Sequence, residues 1–309
     1  MIGFRYHVVS LAAVLLAVAL GVLLGTTQLS GAVGDDLRDQ VRTLDQANAG
    51  LASQLAAERA RTESADTVTT ALAPRLLAGT LKNARVVVVG TAQASDEVTD
   101  GISTALERAG AKVTGRVQLT DDYADPRRAA DAKSYVTGGG QPAGFQLPES
   151  EDAGVLSGAL LSYALLGDRD RDPAAVTTSE VLSGFASLRM LRVDSPQVTA
   201  ADLAVVVATG PVTGEDPAAR VRTLTALVSA LDGAGRGVVV SGVTGGETGL
   251  VTAVRADGGL ASAVSTVDDA DRPVGQLATA FALAQQAAGR SGQYGSGAGA
   301  EGPFPPTTP

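Results

Sequence analysis

The feature that most constrains this chain is an apolar run near its N-terminus that leads almost directly into a heptad repeat. The run covers residues 8–25 and the repeat covers about residues 33–64. At about 1.5 Å per residue, a helix over residues 8–25 would be about 27 Å long, close to the thickness of the hydrocarbon core of a bilayer. The run therefore predicts a single transmembrane anchor.

The charges that flank the run predict its orientation. Arg5 precedes it, whereas the acidic residues Asp35 and Asp36 come before the next basic residue, Arg38. By the positive-inside rule, residues 1–7 are expected in the cytoplasm and the rest of the chain outside the membrane. One alternative stays open, because the small residues at 30–32 also fit a cleavage site. Against it, the apolar region of a signal peptide has only about 7–15 residues.

Three small residues recur every fourth position within the predicted anchor: Ala17, Gly21 and Gly25. Small residues at this spacing allow two transmembrane helices to approach closely and pair. The alternative is that they reflect only the abundance of Ala and Gly in the chain.

The heptad repeat predicts a parallel, two-stranded coiled coil. Apolar residues occupy the d positions and most of the a positions, and the seam consists of Leu37, Val41, Leu44, Asn48, Leu51 and Leu55. Asn48 falls at an a position, where a buried amide favours an in-register parallel dimer. The alternative is an amphipathic helix that packs against its own chain.

Residues 66–289 predict an α/β domain outside the membrane. The run at 85–90 is uniformly apolar, as in a strand buried on both faces of a parallel sheet, and a helical stripe and a second strand at 112–119 follow it. The same order returns with strands at 203–207 and 237–242. We therefore expect an open, mostly parallel, Rossmann-like sheet.

Further helices are expected at about residues 66–78, interrupted near Pro74, and at 154–166, 173–188 and 274–289. The Gly/Pro/Ser-rich composition of residues 290–309 predicts a disordered tail.

Composition excludes several functions. The net charge of −9 argues against a nucleic-acid partner. The chain has no Cys and a single His, His7, at the edge of the predicted anchor, so a His-based triad or a thiolate nucleophile in the domain is excluded. We expect no enzymatic activity and no cofactor.

Three polar segments follow predicted strands. Residues 241–249 form a glycine-rich turn that matches no phosphate-binding pattern, because it has no Lys and contains Glu247. Residues 120–125 are acidic but lack the spacing of an EF-hand, which favours a solvated loop over a cation site. Residues 90–96 are expected only to cap the next helix, through Ser95 or Asp96. No metal site is predicted.

The chain resembles the actinobacterial family of mycobacterial copper transport protein B. The specific part is the opening, MIGFRYHVVSLAAV with ALGVLLG after it. The coil, the strand at 86–89, KVTGRVQLT at 112–120 and GQYG at 292–295 also resemble the family. The resemblance implies a role in copper efflux or homeostasis, described for the family as a pore in the mycobacterial outer membrane. Other members are implicated in cell separation, with a partner that resembles a thiamine pyrophosphokinase and with control of peptidoglycan hydrolysis.

The residues themselves favour a tethered domain over a channel. Cu(I) prefers thiolate or thioether ligands and Cu(II) prefers imidazole, but the chain has no Cys, one His and two Met. We therefore expect a non-enzymatic, dimeric scaffold of the cell envelope that has no copper site of its own. The alternative is a coiled-coil adaptor that regulates cell separation through an envelope or membrane partner.

Overall fold

The computed structural model of the chain describes residues 3–139, 141–167, 175–243 and 246–306, and it divides the chain into two compact units, residues 1–65 and 66–309. Helix α1 runs without a break from Gly3 to Leu77, a length of 75 residues. The separate helix predicted at 66–78 is therefore wrong, and this segment is the last part of α1. The reason is that no glycine interrupts residues 62–77, and Pro74 lies in the final turn.

The second unit contains a seven-stranded sheet in the order β3-β2-β1-β4-β5-β6-β7. All neighbouring strands pair in parallel except β2 and β3, which are antiparallel. The strands are β1 (Arg85–Gly90), β2 (Lys112–Leu119), β3 (Leu191–Val193), β4 (Leu203–Ala208), β5 (Val238–Gly242), β6 (Ser265–Val267) and β7 (Gln293–Tyr294). This confirms the predicted mostly parallel α/β fold and adds the short strands β3, β6 and β7.

Helices connect the strands and cover both faces of the sheet. They are α2 (Asp96–Arg108), α3 (Ala129–Gly138), α4 (Ala153–Leu165), α5 (Ala175–Ser187), α6 (Pro217–Ala234), α7 (Leu250–Ala256), α8 (Gly258–Ala263) and α9 (Pro273–Ala287). The helices predicted at 154–166 and 274–289 correspond to α4 and α9. Helix α5 matches the prediction at 173–188, of which residues 173 and 174 lie outside the described ranges.

The central strands divide the core into two layers, as expected for a sheet buried on both faces. In β1, Val86 and Val88 contribute to the cluster that includes α2, α9 and the end of α1. Val87 and Val89 contribute to the cluster on the opposite face, with α3, α4, α5, α6 and α7. This alternation explains why the sequence of β1 is uniformly apolar.

The C-terminal segment is part of the domain, and the prediction of a disordered tail is wrong for the described residues 290–306. Strand β7 pairs in parallel with β6, through Thr266 with Gln293 and Val267 with Tyr294. Tyr294 is buried, and its hydroxyl donates a hydrogen bond of 2.6 Å to Gln285 Oε1. These specific contacts order a segment whose composition alone is typical of disorder.

Candidate functional site

The predicted anchor lies on α1, where Tyr6–Leu24 forms an apolar segment of 19 residues with a mean hydropathy of 2.6. Its length and composition suit a membrane crossing, and its side chains are exposed in the single chain. A signal sequence would share both properties, so the cleavage alternative stays open. Ala17 and Gly21 lie in this segment, and a Cβ added at Gly21 would meet no atom of its own chain within 4 Å. Gly25 continues the same helix, but its exposure lies outside what the structure describes.

The predicted coil seam is also on α1, in the first compact unit. Its apolar side chains remain 49–63 % exposed in the single chain: Leu37, Val41, Leu44, Leu51 and Leu55. Asn48 is exposed as well. The helix therefore presents the spacing that a heptad seam requires and leaves the apolar side chains uncovered. A partner helix would have to cover them, and the coiled coil and the dimer stay predictions.

The strand order reverses between β1 and β4, and their carboxyl ends form the place where open α/β sheets commonly bind ligands. In this chain, hydrogen bonds within the domain connect the segments that follow β1 and β4 at this place. The amide of Thr91 donates to the carbonyl of Val207 at 2.8 Å. Thr209 accepts from the amide of Ser95 at 3.1 Å and donates to the carbonyl of Gln93. The segment at 90–96 thus links two strand ends, and Ser95 caps α2 through Val98, as predicted.

The glycine-rich segment 241–249 is engaged with neighbouring elements. Ser241 is fully buried and shares a 2.6 Å hydrogen bond with Thr279 of α9. Gly246–Thr248 forms a 3-10 turn, and Thr248 accepts a 3.1 Å hydrogen bond from the amide of Val212. Residues 244 and 245 lie outside the described ranges.

The carboxylates of the acidic segment 120–125 interact with arginine and amide groups of the domain. Asp121 accepts from Gln93 Nε2 at 3.3 Å, and Asp122 lies 3.7 Å from Arg128 Nε. Among the described residues, no group of three or more His, Cys, Asp and Glu side chains is arranged to hold a metal ion. The structure gives this segment partners within the domain.

Within this segment, Asp125 is the carboxylate that contacts two arginine side chains most closely. Its Oδ1 accepts hydrogen bonds from the amide and Nε of Arg127 at 2.9 and 3.1 Å. Its Oδ2 lies 2.8 Å from Nη2 of both Arg127 and Arg220. The hydrogen bonds from Arg127 and, after them, the charge of Arg220 hold the pKa of Asp125 well below its usual range, despite burial acting in the opposite sense.

Arg220 was missed by the sequence reasoning, although a signal for it exists. It precedes the apolar stripe of α6 and lies on the same face as Leu224, Leu227 and Leu231, four, seven and eleven residues later. A charged residue on a buried face needs a partner of opposite charge. Arg220 has Asp125, and its Nη1 also donates 2.9 Å to the carbonyl of Asp121.

Three polar side chains of one pocket were likewise not singled out as functional. Tyr123 and Ser157 are buried, and their hydroxyl oxygens have no hydrogen-bond partner among the described residues. Arg222, which lines the same pocket, is exposed. The sequence signal for Ser157 is weak but real, because a serine within the uniformly apolar helix α4 has little chance of reaching solvent.

Known proteins of one family are similar to this chain over almost its whole length. The family described as "Copper transport outer membrane protein, MctB" matches residues 1–305. The "Copper transporter MctB" of Mycobacterium tuberculosis (strain ATCC 25618 / H37Rv) is 32 % identical over 309 residues, covering 97 % of this chain and 98 % of that relative. The protein of the same name from Mycobacterium leprae (strain TN) is 32 % identical over 314 residues, with the same coverage. The match over nearly the full length, from the N-terminal apolar helix through the α/β domain, shows that this chain belongs to the MctB family of copper transport outer membrane proteins.

Proposed function

We propose that this chain supports copper export at the cell envelope as a membrane-anchored, dimeric and non-enzymatic scaffold that has no copper site of its own. The observation that carries the proposal is the continuity of α1, in which the apolar segment Tyr6–Leu24 leads into an exposed apolar seam. The copper role rests on the family and on the names of its members. In this scheme residues 1–7 lie in the cytoplasm and the α/β domain lies outside the membrane.

The sequence offers few of the side chains that bind copper well. The sequence has no Cys, and its methionines are Met1 and Met190. Met190 is fully buried in the core beside Phe185, whose carbonyl accepts its amide at 3.0 Å. His7 lies at the start of the anchor segment, away from the domain sequence. Soft or imidazole ligands are what copper needs, so a separate partner would have to handle the metal.

The test is the copper content of cells that lack the gene, of the parent strain and of a complemented strain, at several external copper concentrations. We expect excess cell-associated copper in the deletion strain and its reversal by complementation. Complementation with the double variant His7→Gln, Met190→Leu should restore the parent level, since neither side chain is required as a ligand. Unchanged copper in the deletion strain would contradict the export role, and failure of only the double variant would contradict the absence of a copper site.

A second candidate is a coiled-coil adaptor that regulates cell separation and peptidoglycan hydrolysis through a membrane or envelope partner. The exposed seam and the tethered domain support this candidate equally well, and it needs no metal ligand. It predicts normal copper content together with chains of unseparated cells in the deletion strain, and restoration of separation by the wild-type chain. Normal separation at every growth stage would argue against it.

A further inference from the structure

A pocket of about 170 Å³ opens in the α/β domain between the loop after β2, the start of α4, and helices α3 and α6. Its lining includes Tyr123, Asp125, Asp152, Ser157 and Arg222. It lies beside the ion pair of Asp125 and Arg220 and has no part in the anchor or the coil. All its lining residues belong to the second compact unit.

The pocket has two buried hydroxyls that lack protein partners. Tyr123 is 5 % exposed and Ser157 is 2 % exposed, and neither hydroxyl oxygen has a hydrogen-bond partner among the described residues. Burial raises the pKa of Tyr123, so its hydroxyl stays protonated and can donate. Nearly all buried polar groups in native proteins are hydrogen-bonded. Two residues with unpartnered buried hydroxyls line this one pocket, which favours a polar occupant.

The charges around the pocket are of both signs, and only one of them is already neutralised. Both carboxylate oxygens of Asp125 are occupied by Arg127 and Arg220. Asp152 uses Oδ1 to cap α4, accepting from the amides of Gly154 at 2.7 Å and Val155 at 3.1 Å. Its Oδ2 accepts no hydrogen bond from the described part of the chain.

Arg222 supplies the opposite charge. Its guanidinium forms no ion pair or hydrogen bond with another side chain in the described ranges, and it is exposed at the edge of the pocket. A guanidinium can bind a carboxylate through two parallel hydrogen bonds. The pocket thus offers one group for an anion and one for a cation, and its lining also includes Tyr123 and Ser157.

The size of the pocket limits the ligand. Its volume of about 170 Å³ is below the range of about 300–1,000 Å³ for pockets that bind drug-sized molecules. We propose that the pocket binds a free α-amino acid, with its carboxylate on Arg222, its ammonium group on Asp152, and hydrogen bonds to the hydroxyls of Ser157 and Tyr123. This inference goes beyond the proposed copper role and does not depend on it.

The experiment is calorimetric titration of the full-length protein in detergent micelles with glycine, L-alanine, D-alanine and L-serine. Acetate and methylamine are included, because each carries only one of the two charges. We expect saturable binding of at least one amino acid, and binding of both single-charge probes at least about tenfold weaker, since each loses a charged hydrogen bond. Acetate binding as tight as that of every amino acid, or no binding of any amino acid at millimolar concentration, would overturn the proposal.

Matched variants test the assigned groups. Ser157→Ala and Arg222→Gln should each weaken amino acid binding about tenfold or more, and Arg222→Lys should recover part of the loss. Ser262→Ala and Arg290→Gln alter exposed residues elsewhere in the domain and should leave binding unchanged. The thermal midpoint without ligand checks that each variant is folded. It should rise slightly for Tyr123→Phe, because that change removes an unpartnered hydroxyl.

An amino acid that binds the wild type, Ser157→Ala and Arg222→Gln equally well would place its site elsewhere and would contradict this assignment. The copper measurements above remain independent of either result.

Discussion

Arg220 and Asp125 form a buried ion pair between positions 95 residues apart in the sequence, with Nη2 and Oδ2 2.8 Å apart. Their side chains are only 6 % and 7 % exposed. The pair joins α6 to the loop after β2, and its Asp125 lines the pocket to which Tyr123 and Ser157 also belong. Two opposite charges buried together stabilise the fold mainly because neither is tolerated there alone.

Removal of the cation should therefore cost more than the pair itself contributes. Arg220→Met leaves Asp125 with Arg127 as its remaining charged partner, and we expect a loss of about 3 kcal/mol in the free energy of unfolding. Urea unfolding of the full-length protein in detergent, followed by near-ultraviolet circular dichroism of its tyrosines, measures this. The control is Arg192→Met, whose ion pairs with Asp96 and Asp194 are exposed, with an expected change within about 0.5 kcal/mol. Equal effects of the two changes would contradict the structural distinction.

The Asp125 carboxylate should make the free energy of unfolding depend on pH. Because the folded pKa of Asp125 lies below its ordinary value of 3.8, the stabilisation is present at neutral pH. It is lost as the pH falls below about 5 and through the depressed folded pKa. Asp125→Asn should lower stability at pH 7, and its difference from the wild type should shrink as the pH is lowered from 5 to 3. A difference that stays constant across this range would show that Asp125 does not titrate as proposed.

Sequence patterns predicted the central strands because those strands obey one simple rule. β1, β4 and β5 are buried on both faces, and their uniformly apolar sequences record this directly. β6 was missed because it is buried but polar. Its Ser265 accepts from Gln286 Nε2 at 2.9 Å, and Thr266 donates to Gln293 Oε1 at 2.6 Å. Hydrophobic periodicity cannot reveal a strand whose burial depends on a hydrogen-bond network.

The polar site was beyond sequence reasoning for a related reason. Tyr123, Ser157 and Arg222 come from three different elements, and only tertiary packing brings them to one pocket. The acidic segment was recognised, but its partner Arg220 lies on another helix. Heptad spacing, by contrast, is a local property and could be read without knowledge of the fold.

Truncation of the C-terminal segment tests whether it is ordered, as in the structure, or disordered, as its composition predicts. Truncation after Arg290 removes Tyr294, which is buried, and the amides of Ser296 and Gly297 that donate to Asp268 at 2.6 and 3.1 Å. From the buried area and the lost hydrogen bonds we expect a destabilisation of about 3 kcal/mol or more. Tyr294→Phe deletes only the hydroxyl that donates to Gln285 and should cost about 1 kcal/mol. An unchanged unfolding midpoint after truncation would instead support a disordered tail.

The proposed coil can be tested by cross-linking, because the chain contains no Cys. A cysteine at a d position of a parallel dimer faces its counterpart in the second chain, whereas one at an f position faces away. In membranes treated with a mild oxidant, we expect a disulfide-linked dimer from Leu51→Cys and not from Ser53→Cys, two residues further along the same helix. Leu51 is 63 % exposed in the single chain, so a second helix can reach it. Equal cross-linking at both positions would indicate random collision.

A substitution at Gly21 can test whether two anchors pair without disturbing the helix that carries it. A Cβ at Gly21 would meet no atom of its own chain within 4 Å, so Gly21→Ile is tolerated by the isolated helix. If Ala17, Gly21 and Gly25 form a close contact between two anchors, the larger side chain separates them and lowers the dimer fraction by about fivefold, equivalent to about 1 kcal/mol. A membrane-based reporter of helix association measures this for residues 1–30. Ala19→Ile, which enlarges a side chain on the opposite side of the helix from Ala17 and Gly21, is the control. An equal dimer fraction in all three sequences would leave the coil as the sole basis for dimerisation.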